Sequence, residues 1–244
     1  MPSSPANDIA WADGVLKAVL FDAVGTLFHV RGSVGAAYAA VAARHGVTVT
    51  AGDIERRFRT AFANMPPLCF PGVAAAELPQ RERAWWRQVV TAAFAEQRFA
   101  DFDRFFDDLF EHFARGEAWE LFADTLPTFT ALRGRGIRLG VVSNFDGRLV
   151  RVCEALNIDR YLDAIVMSAR SGYAKPDPRI FAVALGRLGV GPAEAVHVGD
   201  SMTEDVEGAR AAGLRAVLID RQSDEGPRAD CLRDLHDVLQ YAVT

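Results

Sequence analysis

Two aspartates stand where short apolar runs stop. Ala18 to Phe21 is followed by Asp22-Ala23-Val24-Gly25-Thr26-Leu27, and Ala195 to Val198 by Gly199-Asp200. In an open α/β sheet, an acid just past the carboxyl end of a strand lies at the rim where ligands bind. A carboxylate in that position can attack phosphorus or carbon and form a covalent intermediate. Gly25 permits a tight turn that brings backbone close to a ligand. The residue two places after Asp22, where a second acid would complete a pair, is Val24.

Two further segments carry polar groups at strand ends. Ser143-Asn144 follows the run Ile137–Val142 and precedes a helix from Arg148. A hydroxyl and backbone N–H groups there suit an oxyanion. Lys175-Pro176-Asp177-Pro178 precedes a helix from about Arg179, and its prolines fit a helix start. Lys17 and Lys175 are the only lysines among 27 basic residues, so Lys175 is the amine available to neutralise a phosphate or the charge on Asp22. In Gly199-Asp200-Ser201-Met202-Thr203-Glu204-Asp205, the helix dipole explains Glu204 and Asp205. It does not explain Asp200 on the strand end. A hard cation such as Mg²⁺ takes carboxylate oxygens, which Asp22 and Asp200 on neighbouring strands can supply. Asp205 is then placed to hold Lys175 or a metal-bound water.

The elements that must position these groups fall into two textures. Lys17–Phe21, Ile137–Val142, Ala164–Met167, Ala195–Val198 and Ala216–Ile219 are β-branched runs alternating with helical patterns. That rhythm predicts a doubly wound parallel sheet covered on both faces. Between Gly32 and Gly116 the pattern is helical: Ser33–His45, Asp53–Asn64, about Glu77–Arg98 and Asp101–Arg115, with Thr50 as a cap before Asp53. The expected organisation is a Rossmann-like α/β core from residues 1–29 and 117–244, with 1–14 a loose tail, and an inserted helical cap at 30–116. The segment from Phe28 to Gly32 and Gly116 are the expected hinge strands. The insert is rich in rings: Phe58, Phe62, Trp85, Trp86, Phe94, Phe99, Phe102, Phe105, Phe106, Phe110 and Phe113. Their i, i+3, i+4, i+7 spacing assigns most of them to a helical core rather than to a substrate pocket.

Composition narrows the function. The formal charge of −5 is opposite to a nucleic-acid footprint. No apolar stretch reaches the roughly 18 residues of a membrane span. Cys69, Cys153 and Cys231 form no CxxC pair, so neither zinc nor a disulfide framework is indicated. A reduced cytoplasmic setting and a small-molecule substrate are expected, with no nucleic-acid or membrane partner.

Taken together, Asp22-x-Val24-Gly25-Thr26, Ser143-Asn144, Lys175-Pro176 and Gly199-Asp200-x₄-Asp205 resemble the four motifs of the haloacid dehalogenase (HAD) superfamily. The insert resembles the cap of its subfamily IA, and the wording around Asp22 and Ser143 is similar to the branch named after a rhythmically expressed fly gene. The resemblance implies Asp22 as nucleophile and Lys175 as charge stabiliser. It implies Mg²⁺ held by Asp22, the Val24 carbonyl and Asp200, and phosphate held by Ser143, Asn144 and Thr26, with Asp205 behind them.

In phosphatases of that family, the acid in the Val24 position protonates the leaving group and later activates water. Losing such a group costs ~10²–10⁴-fold, or roughly 3–5 kcal/mol of barrier. A backbone carbonyl ligand survives the change. The leading expectation is a Mg²⁺-dependent phosphohydrolase that is slow on ordinary monoesters. It would favour a good leaving group such as an acyl phosphate, or use another acid, His29 being nearest in sequence. A metal-independent 2-haloacid dehalogenase is the rival, with Arg31 as a halide ligand; the Asp200 carboxylate would repel its substrate. A phosphonoacetaldehyde hydrolase would need a cap lysine, and none lies between Lys17 and Lys175. A weakened protein that binds a phosphorylated ligand or a protein partner is the third reading.

Overall fold

The computed structural model describes residues 16–221 and 231–242; the expected loose tail at 1–14 lies outside them. Six parallel strands form one sheet: β1 (Ala18–Phe21), β4 (Arg138–Ser143), β5 (Ala164–Met167), β6 (Ala195–Gly199), β7 (Arg215–Ile219) and β8 (Cys231–Leu232), in the order β5-β4-β1-β6-β7-β8. The strand β1 is central because it can be buried on both faces. Val19 and Phe21 enter one apolar cluster with Leu139, Val141, Val196 and Val198, while Ala18 and Leu20 enter the other with Val142, Ile180 and Phe181. The first cluster is covered by α5 (Thr125–Gly134), α6 (Arg148–Ala155) and a terminal 3₁₀ segment at Leu235–Tyr241. The second is covered by α8 (Pro178–Leu188) and α9 (Gly208–Ala211). A four-residue helix, α7 (Ser168–Ser171), follows β5.

Strand order reverses at β1: β4 and β5 extend the sheet on one side, and β6, β7 and β8 on the other. Such a switch point opens a crevice at the carboxyl ends of the strands. Asp22, Ser143 and Asp200 all follow or end strands at that rim.

Four helices leave the sheet between β1 and β4: α1 (Val34–Arg44), α2 (Ala51–Ala63), α3 (Leu78–Ala93) and α4 (Phe102–His112). Three of them start on a side-chain cap, with Ser33, Thr50 and Asp101 accepting from the N–H groups of Ala36, Asp53 and Arg104. They share a core of their own, including Tyr38, Ile54, Val90, Phe94, Phe105 and Leu109. The chain enters and leaves this block through an antiparallel pair, β2 (Phe28–Val30) and β3 (Trp119–Leu121), in which His29 faces Glu120. The second strand thus lies three residues beyond Gly116, which sits in a single 3₁₀ turn. Three expected boundaries also move. Thr50 caps a helix that begins at Ala51 rather than Asp53, α3 stops at Ala93, short of Arg98, and α4 stops at His112, short of Arg115. No described helix is long and apolar enough to cross a membrane.

Candidate active site

The end of β1 is pinned before its side chain does anything: the Asp22 N–H donates to the Val198 carbonyl on β6 at 2.9 Å. The next turn closes through Gly25 N–H to Phe28 O and Phe28 N–H to Ala23 O. Neither bond uses the Val24 carbonyl. Gly25 has φ +93°, and a Cβ there would come within 2.2 Å of an Asp200 carboxylate oxygen. Glycine is therefore required twice over, by the backbone conformation and by the closeness of Asp200.

Lys175 joins the two halves of the rim. Its Nζ donates to Asp22 Oδ1 at 2.5 Å and to Asp205 Oδ1 at 2.6 Å, and all three side chains are almost fully buried. The loop that carries it continues through a cis Lys175–Pro176 bond. It is clamped by Asn144, whose Oδ1 accepts from the Lys175 N–H at 2.8 Å and whose Nδ2 donates to the Lys175 carbonyl at 3.0 Å. Asn144 Nδ2 also reaches Glu204 Oε2 at 3.1 Å.

Asp205 is held by one irregular turn. Ser201 caps a π-type turn at Met202–Glu207, and the Ser201 N–H donates to Asp205 Oδ2 at 3.0 Å. On β6 the side-chain alternation sends His197 to the α8 face, against Phe181, and its Nε2 lies 2.9 Å from Asp205 Oδ1. A Cβ on Gly199 would strike the Asp205 carboxyl, so β6 must end in glycine for that carboxyl to fold back.

The electrostatics follow from this packing. Burial alone would raise Asp205, but the Lys175 ammonium and His197 outweigh it and hold the carboxyl well below the usual range. Burial pushes Asp22 up, with Lys175 opposing and Asp205 adding to the rise. Asp200 opens on the cavity but is hemmed in by protein. That desolvation, with Asp22 and Asp205 facing it, pushes it up to about 7. Asp22, Asp200 and Asp205 present oxygens all within 4.8 Å of one another. Two unit charges at that separation repel by about 3.5 kcal/mol at an effective dielectric near 20. Against three carboxylates stands one ammonium, so the fully ionised cluster is two charges short of neutral. A divalent cation fits that deficit and an all-oxygen donor set.

The rim opens into a cavity of about 550 Å³. Asp22, Val24, Ser143, Asn144, Lys175, Asp200 and Asp205 all line it, so the structure brings together every site residue expected from the sequence except one. Thr26, expected at the phosphate, is fully buried after the Gly25 turn. It is not among the lining residues, and no described residue hydrogen-bonds its hydroxyl. Asn144 does reach the cavity, yet its amide is committed to the Lys175 backbone. His29 lies on β2 against Phe122 and outside the lining, as does Arg31, which binds the carbonyls of Glu117 and Trp119.

The aromatic residues change their reading most. Phe58, Phe62, Trp85, Trp86, Phe106, Phe110 and Phe113 line the cavity, whereas Phe94, Phe99, Phe102 and Phe105 do not. Beside them Arg148 is paired with the fully buried Asp146, its Nη2 2.7 Å from Asp146 Oδ2, and lies over the Phe110 ring. Tyr38 also faces the cavity. Neither the ion pair, nor Tyr38, nor His197 was singled out from the sequence. Their helical and strand positions read as ordinary inward-facing ones, and the Arg148–Asp146 spacing has no motif of its own.

A parallel sheet with a central strand, four strand-end motifs converging on Asp22, and a helical block above them define a class of hydrolase. The chain belongs to the haloacid dehalogenase-like hydrolases, whose family model matches residues 16–213. It is 33% identical to haloacid dehalogenase-like hydrolase domain-containing protein 3 of Danio rerio, over 88% of this chain and 89% of that protein. It is 28% identical to the rhythmically expressed gene 2 protein of Drosophila melanogaster, over 85% and 84%. It is 40% identical to a glyceraldehyde 3-phosphate phosphatase of Methanopyrus kandleri, over 45% and 48%. Among solved structures, a HAD phosphatase from Thermococcus onnurineus superposes with a TM-score of 0.64 at 26% identity, covering 92% of this chain and 97% of that one. The L-2-haloacid dehalogenase of Xanthobacter autotrophicus shares the fold, with a TM-score of 0.70 at 19% identity over 93% and 98%.

Proposed function

We propose that this chain is a Mg²⁺-dependent phosphohydrolase that passes a phosphoryl group through Asp22. The observation that carries the reading is the Asp200 carboxylate, packed on Gly25 and facing Asp22, which leaves a deficit of two charges around Lys175. Asp22, Asp200 and the Val24 carbonyl would hold the ion, which supplies charge neutralisation at the nucleophile and at the phosphoryl oxygens. With Oδ1 held by Lys175, Oδ2 is the Asp22 oxygen left to attack. The same ammonium stands over the charge that develops on the phosphoryl group, and Asp205 and Asn144 fix where it stands. Ser143 offers a hydroxyl at the adjoining strand end. Val24 supplies no proton, so the leaving oxygen departs as an anion. A phosphatase among the relatives and a HAD phosphatase among similar structures support the reading.

The dehalogenase alternative meets an obstacle in the same place, because a 2-haloacid brings its own carboxylate towards Asp200. Acetyl phosphate hydrolysis, measured with Mg²⁺ and with chelator, tests the proposal. Metal-dependent turnover that disappears in Asp22→Asn is expected. Halide release from 2-chloropropionate in the presence of chelator would overturn it.

A further inference from the structure

The charged rim and the aromatic chamber are one continuous cavity, but they differ in what they leave unpaired. The chamber walls include Phe58, Phe62, Trp85, Trp86, Phe106 and Phe110. Their polar neighbours are already used. The Trp85 indole N–H donates to the Pro66 carbonyl at 3.0 Å, and that of Trp86 to Asp146 Oδ2 at 2.5 Å. Arg148 spends Nε and Nη2 on Asp146 and Nη1 on the Phe110 carbonyl. Its charge is therefore balanced, and it is no seat for a second anionic group. No described residue hydrogen-bonds the hydroxyl of Tyr38, a residue only 2% exposed that lines this cavity. Burial pushes that phenol well above its ordinary value, so it stays a neutral donor.

A sugar or polyol phosphate would carry a row of hydroxyls into this chamber, where, among the described side chains away from the rim groups Ser143 and Glu204, the Tyr38 hydroxyl is the one left to meet them. Each of the others would lose water without a partner. A flat ring loses nothing polar and gains edge and face contacts with the walls. The rim makes an independent demand. With Val24 beside the nucleophile, the leaving oxygen must go unprotonated. A phenol ionises near pKa 10, whereas water, and with it a simple alcohol, lies about five units higher.

We propose that the substrate is an aryl monophosphate, the phosphate ester of a phenol, with its ring among Phe62, Trp86 and Phe110 and its phosphate at Asp22 and Lys175. This rests on the phosphohydrolase reading above. Asp22 Oδ2 forms a bond to phosphorus and the bond from phosphorus to the aryl oxygen breaks, its electron pair leaving on the phenolate. The phenolate takes a proton from water. A second water attacks the aspartyl phosphate, releasing inorganic phosphate and the Asp22 carboxylate, and its lost proton neutralises the hydroxide left by the first.

Steady-state kinetics of the Mg²⁺-loaded protein on 2-naphthyl phosphate, 2-phenylethyl phosphate, glycerol 3-phosphate and acetyl phosphate test this. Expected is a kcat/KM for 2-naphthyl phosphate on the order of 100-fold above glycerol 3-phosphate, within the range an unassisted leaving group allows. 2-Phenylethyl phosphate, which keeps the ring but leaves as an alkoxide, should share the low KM and lose in kcat. Phe62→Ala, or Phe62→Leu if the first folds poorly, should raise KM for 2-naphthyl phosphate roughly tenfold, as loss of ring contact in a pocket does. Acetyl phosphate turnover with no preference for 2-naphthyl over glycerol 3-phosphate overturns the aryl assignment alone. So does a KM for 2-phenylethyl phosphate no lower than that of glycerol 3-phosphate, or a KM for 2-naphthyl phosphate that ignores Phe62. Failure to turn over any of the four, acetyl phosphate included, removes the phosphohydrolase reading and this inference with it.

Discussion

The rim of the sheet and the helical block above it solve opposite problems. At the rim the side chains around Lys175 are tied into one paired network. Asp205 accepts from Lys175, His197 and Ser201, and Asn144 is spent on the Lys175 backbone. Such a network fixes geometry at the cost of adaptability. In the block the phenyl walls are fixed by packing and the two indoles by bonds that leave nothing to offer, so shape rather than hydrogen bonding sets what fits. On the proposed reading, chemistry falls to the rim, where charges are paired, and selection to the chamber, whose walls are mostly rings.

That contrast can be broken at several points. Within the block, rings of the inner core should separate from rings of the chamber. Phe105 is fully buried, and Phe105→Ala should cost about 3–5 kcal/mol, read as a lower denaturation midpoint. Asp205→Asn should cost a comparable ~3–5 kcal/mol, because it strips Lys175 and His197 of a buried partner; a change under ~1 kcal/mol would mean the rim is less tightly knit than its distances imply. Saturating Mg²⁺ at a hundred times its Kd should stabilise the chain by about 2.7 kcal/mol, seen as a thermal shift. Asp200→Asn should abolish that shift. The gain should shrink as pH falls through about 7, where Asp200 takes a proton that competes with the cation. Val24→Asp should raise turnover of 2-phenylethyl phosphate at least tenfold, or about 1.4 kcal/mol of barrier, and change an aryl phosphate much less. The smallest expected effect is on stability in Phe62→Ala. Phe62 is 44% exposed, and its truncation should cost no more than about 1 kcal/mol.

The sheet was legible because each strand is a short β-branched run with both faces covered, which few other environments tolerate. The four-helix insert was legible from its helical apolar spacing and from the single cap at Thr50. β8 is two residues long, too short to carry a period, and the 3₁₀ segment after it has no helical stripe to announce it. At the site, strand-end acids announce themselves, since a carboxylate beside a buried run has few other reasons to be there. Thr26 misled because a turn places consecutive side chains on different sides, and sequence order does not say which. The rings misled for a related reason. An inward-facing stripe looks the same whether it meets another helix, as Phe105 does, or a void, as Phe110 does. His197 was hidden by the alternation of β6, where a histidine reads as one more interior side chain.

Asp146 is fully buried and binds in two directions, accepting from Arg148 beside it in sequence and from the Trp86 indole on α3. If α3 draws back from the sheet, the indole departs and the guanidinium stays. The carboxylate then keeps its counterion whether the roof is down or raised, and parting the two bodies here breaks the Trp86 contact and the Arg148 Nη1 bond to the Phe110 carbonyl without stranding a charge. A fastening of this kind releases at low energy and still re-seats in one register, because a single nitrogen on a rigid bicyclic ring has to find a single oxygen again.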